Sequence, residues 1–295
     1  MIPALNIIPS IPVGSWFTSV VDWINNHFGP LLDFINWLLA PVLYNNIDAA
    51  LVWVPPLAMA FILAALGSVA RSWRFGVGVL IGLLLIQSMD LWTEAMDTLS
   101  LVLIAAAIAM LLSVPLGILA ARSSVASAGL RPAMDLMQTM PAFVYLIPTL
   151  FFWGIGVVPG IVSTIVFAMP PGVRLTELGI RQVDKEMVEA GHAFGARPVD
   201  ILRNVQLPLA MPTIMAGVNQ VIMLSLSMVV IAGIVGAGGL GGVVYSGITR
   251  LNLGRGFEGG LGVVILAVFL DRLTSALGAR RTRTGRTARR ARAAR

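Results

Sequence analysis

Residues 95–121 read AMDTLSLVLIAAAIAMLLSVPLGILAA, and Asp97 is the one charged side chain in this stretch. A helix needs about 20 mostly apolar residues to cross the hydrocarbon core of a bilayer. The stretch is long enough to cross that core with some tilt, and Pro115 lies where it can kink the helix near one end. Residues 95–121 therefore predict a membrane-spanning helix.

Small side chains recur every four residues along the same stretch. They are Ala105, Ala109, Ser113, Gly117 and Ala121. Residues four apart lie on one face of a helix, and small residues on one face allow two membrane helices to approach closely. The pattern predicts a seam at which this helix packs against another.

Six further apolar runs flank this stretch and bring the predicted number of spans to about seven. They cover 51–70, 75–92, 134–153, 155–171, 211–235 and 257–277. Of the 295 residues, 57% are hydrophobic and 12% are charged, whereas a soluble domain has about 25% charged residues. The sequence thus predicts an all-α, multi-pass integral membrane protein. It excludes a soluble enzyme, a disordered protein and a nucleic-acid-binding domain.

Few side chains in this sequence could support catalysis or bind a metal. The chain has no cysteine, which excludes disulfides, thiolate-ligated metals and thiol catalysis. Its two histidines, His27 and His192, are far apart in sequence, and no acid–base couple falls within the spans. We therefore expect no metal, no cofactor and no enzymatic activity in this chain.

The arginines and the lysine indicate how the chain is oriented. Placing the loop after the first span inside the cell puts all of the 20 basic residues there except Arg250 and Arg255. Because cytoplasmic loops carry an excess of Lys and Arg, we predict an external N-terminus, a cytoplasmic C-terminus and insertion in the inner (plasma) membrane.

The two ends of the chain differ from the 51–278 membrane domain. Residues 1–50 contain no Lys or Arg. Their apolar pattern predicts an external arm with helices lying on the membrane surface, the alternative being a poorly ordered tail. Residues 279–295 are rich in Arg and predict a disordered cytoplasmic tail. That tail either binds anionic lipid head groups or serves only to retain the end inside.

The longest predicted inside loop, 172–210, has the pattern of two short helices. Asp184 can cap a helix, Gly195 can end it in a left-handed conformation, and Pro198 suits the start of a second helix. The first helix would carry one face of small and apolar residues, namely Met187, Ala190, Gly191 and Phe194. We call residues 184–205 the knob. By periodicity alone the knob either docks on a partner or packs on itself.

The spacing of residues in and after the knob resembles the loop that defines permease subunits of ABC importers. In that family the pattern is Glu-Ala-Ala, three residues, Gly, nine residues, Ile, one residue, Leu-Pro. The matching residues here are Glu189, Ala190, Gly191, Gly195, Val205, Leu207 and Pro208. Gly191 and Val205 depart from the family's Ala and Ile. The resemblance implies that these residues, with Phe194, couple the chain to an ATPase subunit.

A wider resemblance covers roughly residues 15–278 and includes 134–148, 172–196, 205–241 and 262–277. These stretches look like permeases of glycine betaine/proline betaine importers. The resemblance implies a fold like that of type I importers, a second copy of this chain, two ATP-binding subunits and an external substrate-binding protein. No glycine loop followed by Lys-Ser or Lys-Thr is present, so ATP is expected to bind another chain.

Two interpretations are possible for the polar residues inside the spans. Asn219, Gln220, Ser225 and Ser227 lie in the sixth apolar run, where they either bond neighbouring helices or line a pathway. An ion-coupled secondary carrier would place a charge near the membrane midplane, and none is found there. The remaining alternative is an ABC permease for another small solute, such as choline, carnitine or an amino acid.

Overall fold

The computed structural model describes residues 12–293, except the side chains of residue 277 and residues 279–293. Every regular element of the described residues is helical, which confirms the all-α prediction. The α-helices in chain order are α1 (Val13–Trp37), α2 (Asn45–Trp53), α3 (Pro56–Ala70), α4 (Trp73–Ser88), α5 (Trp92–Arg122), α6 (Ser124–Thr139), α7 (Ala142–Trp153), α8 (Val157–Arg181), α9 (Lys185–Ala193), α10 (Pro198–Ile201), α11 (Leu207–Ala232), α12 (Gly239–Thr249) and α13 (Leu253–Ala293). Residues 38–44 and 202–206 are π-helical, and 233–235 form a 3₁₀ turn.

Four runs in this part of the chain are helical and apolar over a length that could cross a membrane. They are α5, α8, Pro198–Val235 and Leu253–Ala276. Two bent helix pairs could each form one more span, and α4, with 16 residues, is a shorter apolar helix. All seven predicted apolar runs are thus helical, but two of them are broken.

The predicted fourth span, 134–153, is not one helix. Helices α6 and α7 meet at an angle of 98°, and Met140 between them is extended with ψ 135°. Pro141 explains the break, because the ring of a proline disfavours the helical conformation in the residue before it. The predicted span 134–153 is therefore divided between two helices and is not one continuous helix.

The N-terminal arm is helical and attached to the membrane domain. Its chain bends by 103° before α3, where Val54 precedes Pro55 and is extended. The indole Nε1 of Trp153, at the end of α7, donates a hydrogen bond to the carbonyl of Leu32 at 3.0 Å. Residues 1–11 lie outside the described residues, and the placement of the arm on the membrane surface stays a prediction.

Helices α5 and α8 pack through the predicted seam of small residues. A Cβ added to Gly117 would lie 2.5 Å from the Cβ of Thr176, and one added to Gly172 would lie 2.7 Å from the Ser113 hydroxyl. That hydroxyl donates to the Met169 carbonyl at 2.9 Å. Neither glycine leaves room for a side chain, so the seam prediction is confirmed.

The cytoplasmic loop is shorter than predicted. Helix α8 continues to Arg181 and α11 begins at Leu207, so only residues 182–206 of the predicted loop 172–210 lie between them. The reason is packing: Gly172, Thr176 and Gly179 are buried within α8. Helices α5 and α11 extend the core toward the cytoplasm alongside this segment.

Residues 233–242, which we call the glycine turn, comprise the connection between α11 and α12 and the first turn of α12. Three glycines there have positive φ, namely Gly236, Gly238 and Gly239. A Cβ on Gly233 would lie 2.3 Å from the backbone of Gly241, so two stretches of backbone are in direct contact. The amide of Leu240 donates to the Thr98 hydroxyl at 2.8 Å, which fixes the turn on α5.

Arg255 is one of the two basic residues that the predicted orientation does not place on the cytoplasmic side, and the structure explains its position. Its guanidinium donates to the carbonyls of Met89 and Asp90 at 2.7 and 3.1 Å and pairs with Glu258 at 3.2 Å. It therefore caps the carbonyl end of α4, where a cation is favoured.

Helix α13 is assigned as far as Ala293 and so enters the segment predicted to be disordered. Ala and Arg are strong helix formers, which accounts for a helical backbone there. The side chains from residue 279 onward lie outside the described part, and lipid binding by the tail stays a prediction.

The α5–α8 seam generates a stability prediction. Gly117→Val should lower the melting temperature of the purified protein in detergent, because overpacking a close contact costs about 1–3 kcal/mol. Gly78→Val is the matched control, since a Cβ at Gly78 has nothing within 4 Å. Equal melting temperatures for the two variants would contradict the proposed close contact.

Candidate coupling site

The knob forms as its sequence predicts. The Asp184 carboxylate accepts a hydrogen bond from the amide of Glu186 at 3.0 Å and caps α9. Gly195 has φ +75°, and Pro198 is in the first turn of α10. The amide of Ala196 donates to the Gly191 carbonyl at 3.1 Å, and that of Gly195 to the His192 carbonyl at 2.9 Å. These two bonds define a Schellman motif, so the predicted glycine cap is confirmed.

The underside of the knob is apolar and packs on the membrane domain. Ile201 is 2% exposed, and Val188 and Leu202 pack against a small core formed by Ile180, Val183, Ala210 and Ile214. Residues Val114 and Ile118 at the inner end of α5 contact the same core. This core joins the knob to α5, α8 and α11.

The opposite side of the knob is exposed and carries bulky apolar side chains. Phe194 is 90% exposed and Met187 is 41% exposed, and Glu189, Ala190 and Gly195 are also exposed. No residue of α9 is buried. An exposed phenylalanine at the corner of a well-capped helix pair leaves a large apolar surface in water, which is typical of an interaction surface.

The remaining predicted coupling residues lie on the side of the knob that faces the membrane domain, or at the edge of that side. Val205 and Leu207 are half-buried, and Pro208 is exposed in the first turn of α11. At Gly191, a Cβ would lie 3.1 Å from the side chain of Ile201. This tight contact explains why glycine suits a position at which the resembling family has alanine.

A single polar bond connects the knob to the end of α5. The guanidinium of Arg122 donates to the carbonyl of Pro198 at 2.7 Å. Arg197 and Asp200 pair within the knob itself at 2.8 Å.

Glu177 forms the centre of an ionic cluster that the sequence reasoning missed. Its carboxylate is 11% exposed and accepts from Arg181 Nε at 2.9 Å and from the Ser127 hydroxyl at 2.7 Å. Arg131 lies 3.5 Å away. The same Arg181 donates to the Ala120 carbonyl at 2.8 Å and so caps the end of α5. The four-residue spacing of Glu177 and Arg181 is typical of a helical ion pair and was the available signal.

The cluster borders a cavity of about 360 Å³. Arg174 and Asp135, which form a second ion pair, also line it. Both side chains of that pair are well exposed, at 40% and 67%, so its contribution to stability is small. Glu177 differs because its own side chain is buried, although its partner Arg181 is 41% exposed. Hydrogen bonds to a buried carboxylate contribute more to stability than an exposed ion pair does.

The four polar residues of α11 do not share one role. Ser225 is fully buried and donates to its own helix at Val221. Asn219 donates to Ser275 of α13 at 2.7 Å. Ser225 therefore has a packing role, whereas Asn219 both bonds to α13 and lines the cavity that Gln220 and Ser227 also border. Gln220 and Ser227 are exposed and line an apolar cavity of about 800 Å³ between α11 and α13.

A family model described as the binding-protein-dependent transport system inner membrane component matches residues 113–283. This match includes α8, the knob and α11. The chain belongs to this family. It is therefore an inner membrane permease subunit of an ABC transporter, a subunit that is not itself an enzyme. The family works with an ATP-binding subunit and a substrate-binding protein.

Two relatives of this permease align along most of its length. The glycine betaine/proline betaine transport system permease protein ProW of Escherichia coli (strain K12) is 48% identical over 270 residues, which cover 91% of this chain and 75% of ProW. The glycine betaine/carnitine transport permease protein GbuB of Listeria monocytogenes (serotype 1/2a) is 44% identical over 279 residues, which cover 91% and 96% of the two chains. These relatives confirm the resemblance that the sequence indicated.

A solved structure of the MetNI methionine ABC transporter, in an inward-facing conformation, is also similar to the permease. The TM-score is 0.55 and the identity is 25%, over 64% of this chain and 92% of the MetNI chain. The likeness agrees with the type I importer fold that the resemblance implied.

The Glu177 cluster generates a prediction with an internal control. Glu177→Gln should destabilise the permease by about 1.5–3 kcal/mol, because it removes the charge-assisted hydrogen bonds that the buried carboxylate accepts from Arg181 and Ser127. Asp135→Asn removes an exposed pair and should cost at most about 1 kcal/mol. Thermal unfolding of both variants in detergent measures the difference. A Glu177→Gln protein as stable as Asp135→Asn would show that the cluster has no structural role.

Proposed function

We propose that this permease forms the membrane pathway of an ATP-driven importer for glycine betaine or a closely related betaine. The observation that carries the proposal is the pair of relatives at 44% and 48% identity. Their names differ in the second solute, proline betaine in one and carnitine in the other, and share glycine betaine. The shared solute is the one we assign to this chain.

ATP hydrolysis is assigned to the separate ATP-binding subunit, present in two copies. A phosphate-binding loop needs a lysine that follows a run of glycine-spaced residues. Lys185 is the one lysine in the 295 residues, and Glu186 follows it. It begins α9 of the knob, where no glycine loop precedes it.

The exposed side of the knob is the surface we assign to the ATP-binding subunit. We assign direct contact to the exposed residues Glu189, Ala190, Phe194 and Gly195. We assign a supporting role to the residues on the inner side of the knob or at its edge, namely Gly191, Val205, Leu207 and Pro208. Phe194 supports the assignment best, since a 90% exposed aromatic side chain gains free energy when a groove covers it.

The transport cycle follows alternating access. ATP closes the paired ATP-binding subunits, the knobs move with them, and the permeases open toward the external binding protein. ATP can drive this change only if the ATP-binding subunits prefer one global state of the permease over the other. The knob delivers that difference in free energy to the spans.

A second copy of the permease completes the pathway in this proposal. Gln220 and Ser227 lie on the exposed face of α11, together with Ala216 and Met223. A face that combines an amide, a hydroxyl and small apolar groups, without a charge, is suited to the passage of a zwitterion. Two such faces opposite each other would enclose the path.

The ends of the chain contact lipid in this proposal. The exposed tryptophans Trp16, Trp23 and Trp37 of α1 are suited to the membrane–water interface on the external side. The Arg-rich segment 279–295 is suited to anionic head groups on the cytoplasmic side.

Uptake by the reconstituted complex tests the substrate. Proteoliposomes that contain this permease, its ATP-binding subunit and its binding protein should accumulate labelled glycine betaine when ATP is inside. Unlabelled proline betaine should compete better than choline, carnitine or methionine. Accumulation of one of these three solutes in place of glycine betaine would contradict the assignment.

Gly195 tests the knob as the docking surface. Gly195→Leu should reduce copurification of the ATP-binding subunit while membrane abundance stays normal, because positive φ costs a leucine about 1–2 kcal/mol. A Cβ at this position meets nothing within 4 Å, so backbone strain is the one local cost. Gly195→Asn is the control, since asparagine tolerates this conformation. If both variants copurify the same amount of ATP-binding subunit, docking does not require the positive φ of Gly195.

A further inference from the structure

Helix α5 reaches from the knob to the glycine turn, as does α11, which joins the two segments through the chain itself. Helix α5 has 31 residues without a break and is therefore about 46 Å long. Arg122 at its inner end bonds to the knob, and Thr98 near its outer end bonds to the glycine turn. The two residues are about 36 Å apart along the helix.

The inner attachment is specific in its geometry. The carbonyl of Pro198, which accepts from Arg122 at 2.7 Å, belongs to the first residue of α10. Val114 and Ile118 of α5 contact the core on which the knob rests. Arg181 of α8 bonds to the Ala120 carbonyl, so the last turn of α5 is fixed to both the knob and α8.

The outer attachment is equally close. Thr98 is 1% exposed, and its hydroxyl donates to the Glu94 carbonyl at 2.8 Å while accepting from the Leu240 amide at 2.8 Å. A Cβ on Gly239, which has φ +64°, would lie 2.5 Å from the same hydroxyl. The glycine turn is therefore seated on α5 at a place with no spare room.

We propose that α5 transmits movement of the knob to the glycine turn, with Arg122 and Thr98 as the positioning residues at its two ends. The proposal rests on the proposed docking of the ATP-binding subunit at the knob. A helix that is continuous between two bonded ends couples the positions of the two attached segments. The glycine turn can follow such movement because three of its residues have no side chain and already adopt positive φ.

The test uses the natural absence of cysteine from the chain. Ile234→Cys places one label on the glycine turn, at a position that is 37% exposed. In the complex with the ATP-binding subunit, a spin or fluorescent label reports the fraction of permeases that change conformation at saturating ATP. The readout needs no solute, so a failure of the betaine assignment in the uptake assay leaves it unaffected.

Arg122→Ala and Thr98→Val, each in the labelled protein, should lower the ATP-dependent equilibrium constant for the change by about tenfold. This is the usual effect of losing one charge-assisted or buried hydrogen bond. Arg122→Lys and Thr98→Ser keep a donor or a hydroxyl and should restore most of the response. Arg71→Ala, which removes an exposed arginine at the end of α3, should have no effect. Membrane abundance and copurified ATP-binding subunit should be normal in all five variants.

The double variant separates transmission from ordinary stability. Two distant sites without shared partners act independently, and their effects multiply, here to about a hundredfold loss. If both residues serve one path, breaking the second end adds nothing, and the double variant should stay near the tenfold loss of either single variant. Three results would each overturn the proposal. The effects of the two single variants could multiply in the double variant, Arg122→Ala or Thr98→Val could keep a full response, or Arg71→Ala could lose as much as they do.

Discussion

The close contact between α5 and α8 is the interaction on which the arrangement of the site depends. Lipid is as apolar as leucine, so membrane helices gain little from the hydrophobic effect when they associate and depend on close packing. Gly117 and Gly172 allow that approach, and the Ser113 hydroxyl crosses it to the Met169 carbonyl. Because α8 is held in this position, Arg181 reaches the Ala120 carbonyl near the end of α5 and Glu177 reaches Ser127 of α6. The chain then leaves α8 directly into the knob.

The irregular backbone of the glycine turn is covered by other parts of the chain. Unpaired amides and carbonyls are very unfavourable in lipid, yet the chain bends at Met140 and forms the glycine turn at residues 233–242. In the glycine turn, Thr98 accepts from Leu240, and the amide of Gly156 donates to the Val235 carbonyl at 3.0 Å. Each of these contacts replaces a helical hydrogen bond, so the turn requires the neighbouring α5 and the start of α8.

The knob could be predicted residue by residue, whereas the membrane domain could be predicted only as apolar helices. Capping by Asp184 and the left-handed Gly195 depend on a few adjacent residues, so the sequence contains the whole signal. The end of α8 depends on Thr176 and Gly179 packing against other helices, and hydropathy is insensitive to that packing. The Glu177 cluster brings together α6 and α8, and only its Glu177–Arg181 spacing was visible in the sequence.

The knob has the mechanical properties that a transmitting element needs. Inside it, the Asp184 cap, the Schellman motif at Gly195 and the Arg197–Asp200 pair hold the two helices in one arrangement. Its attachments to the membrane domain are fewer, namely a small apolar contact through Val188 and Leu202 and one hydrogen bond from Arg122. A force applied to Phe194 therefore acts on a pair of helices that is held together more firmly than it is attached to the membrane domain. In the proposed cycle we expect such a unit to rotate as a whole and to pass the rotation to α5, α8 and α11, the three helices that form its base.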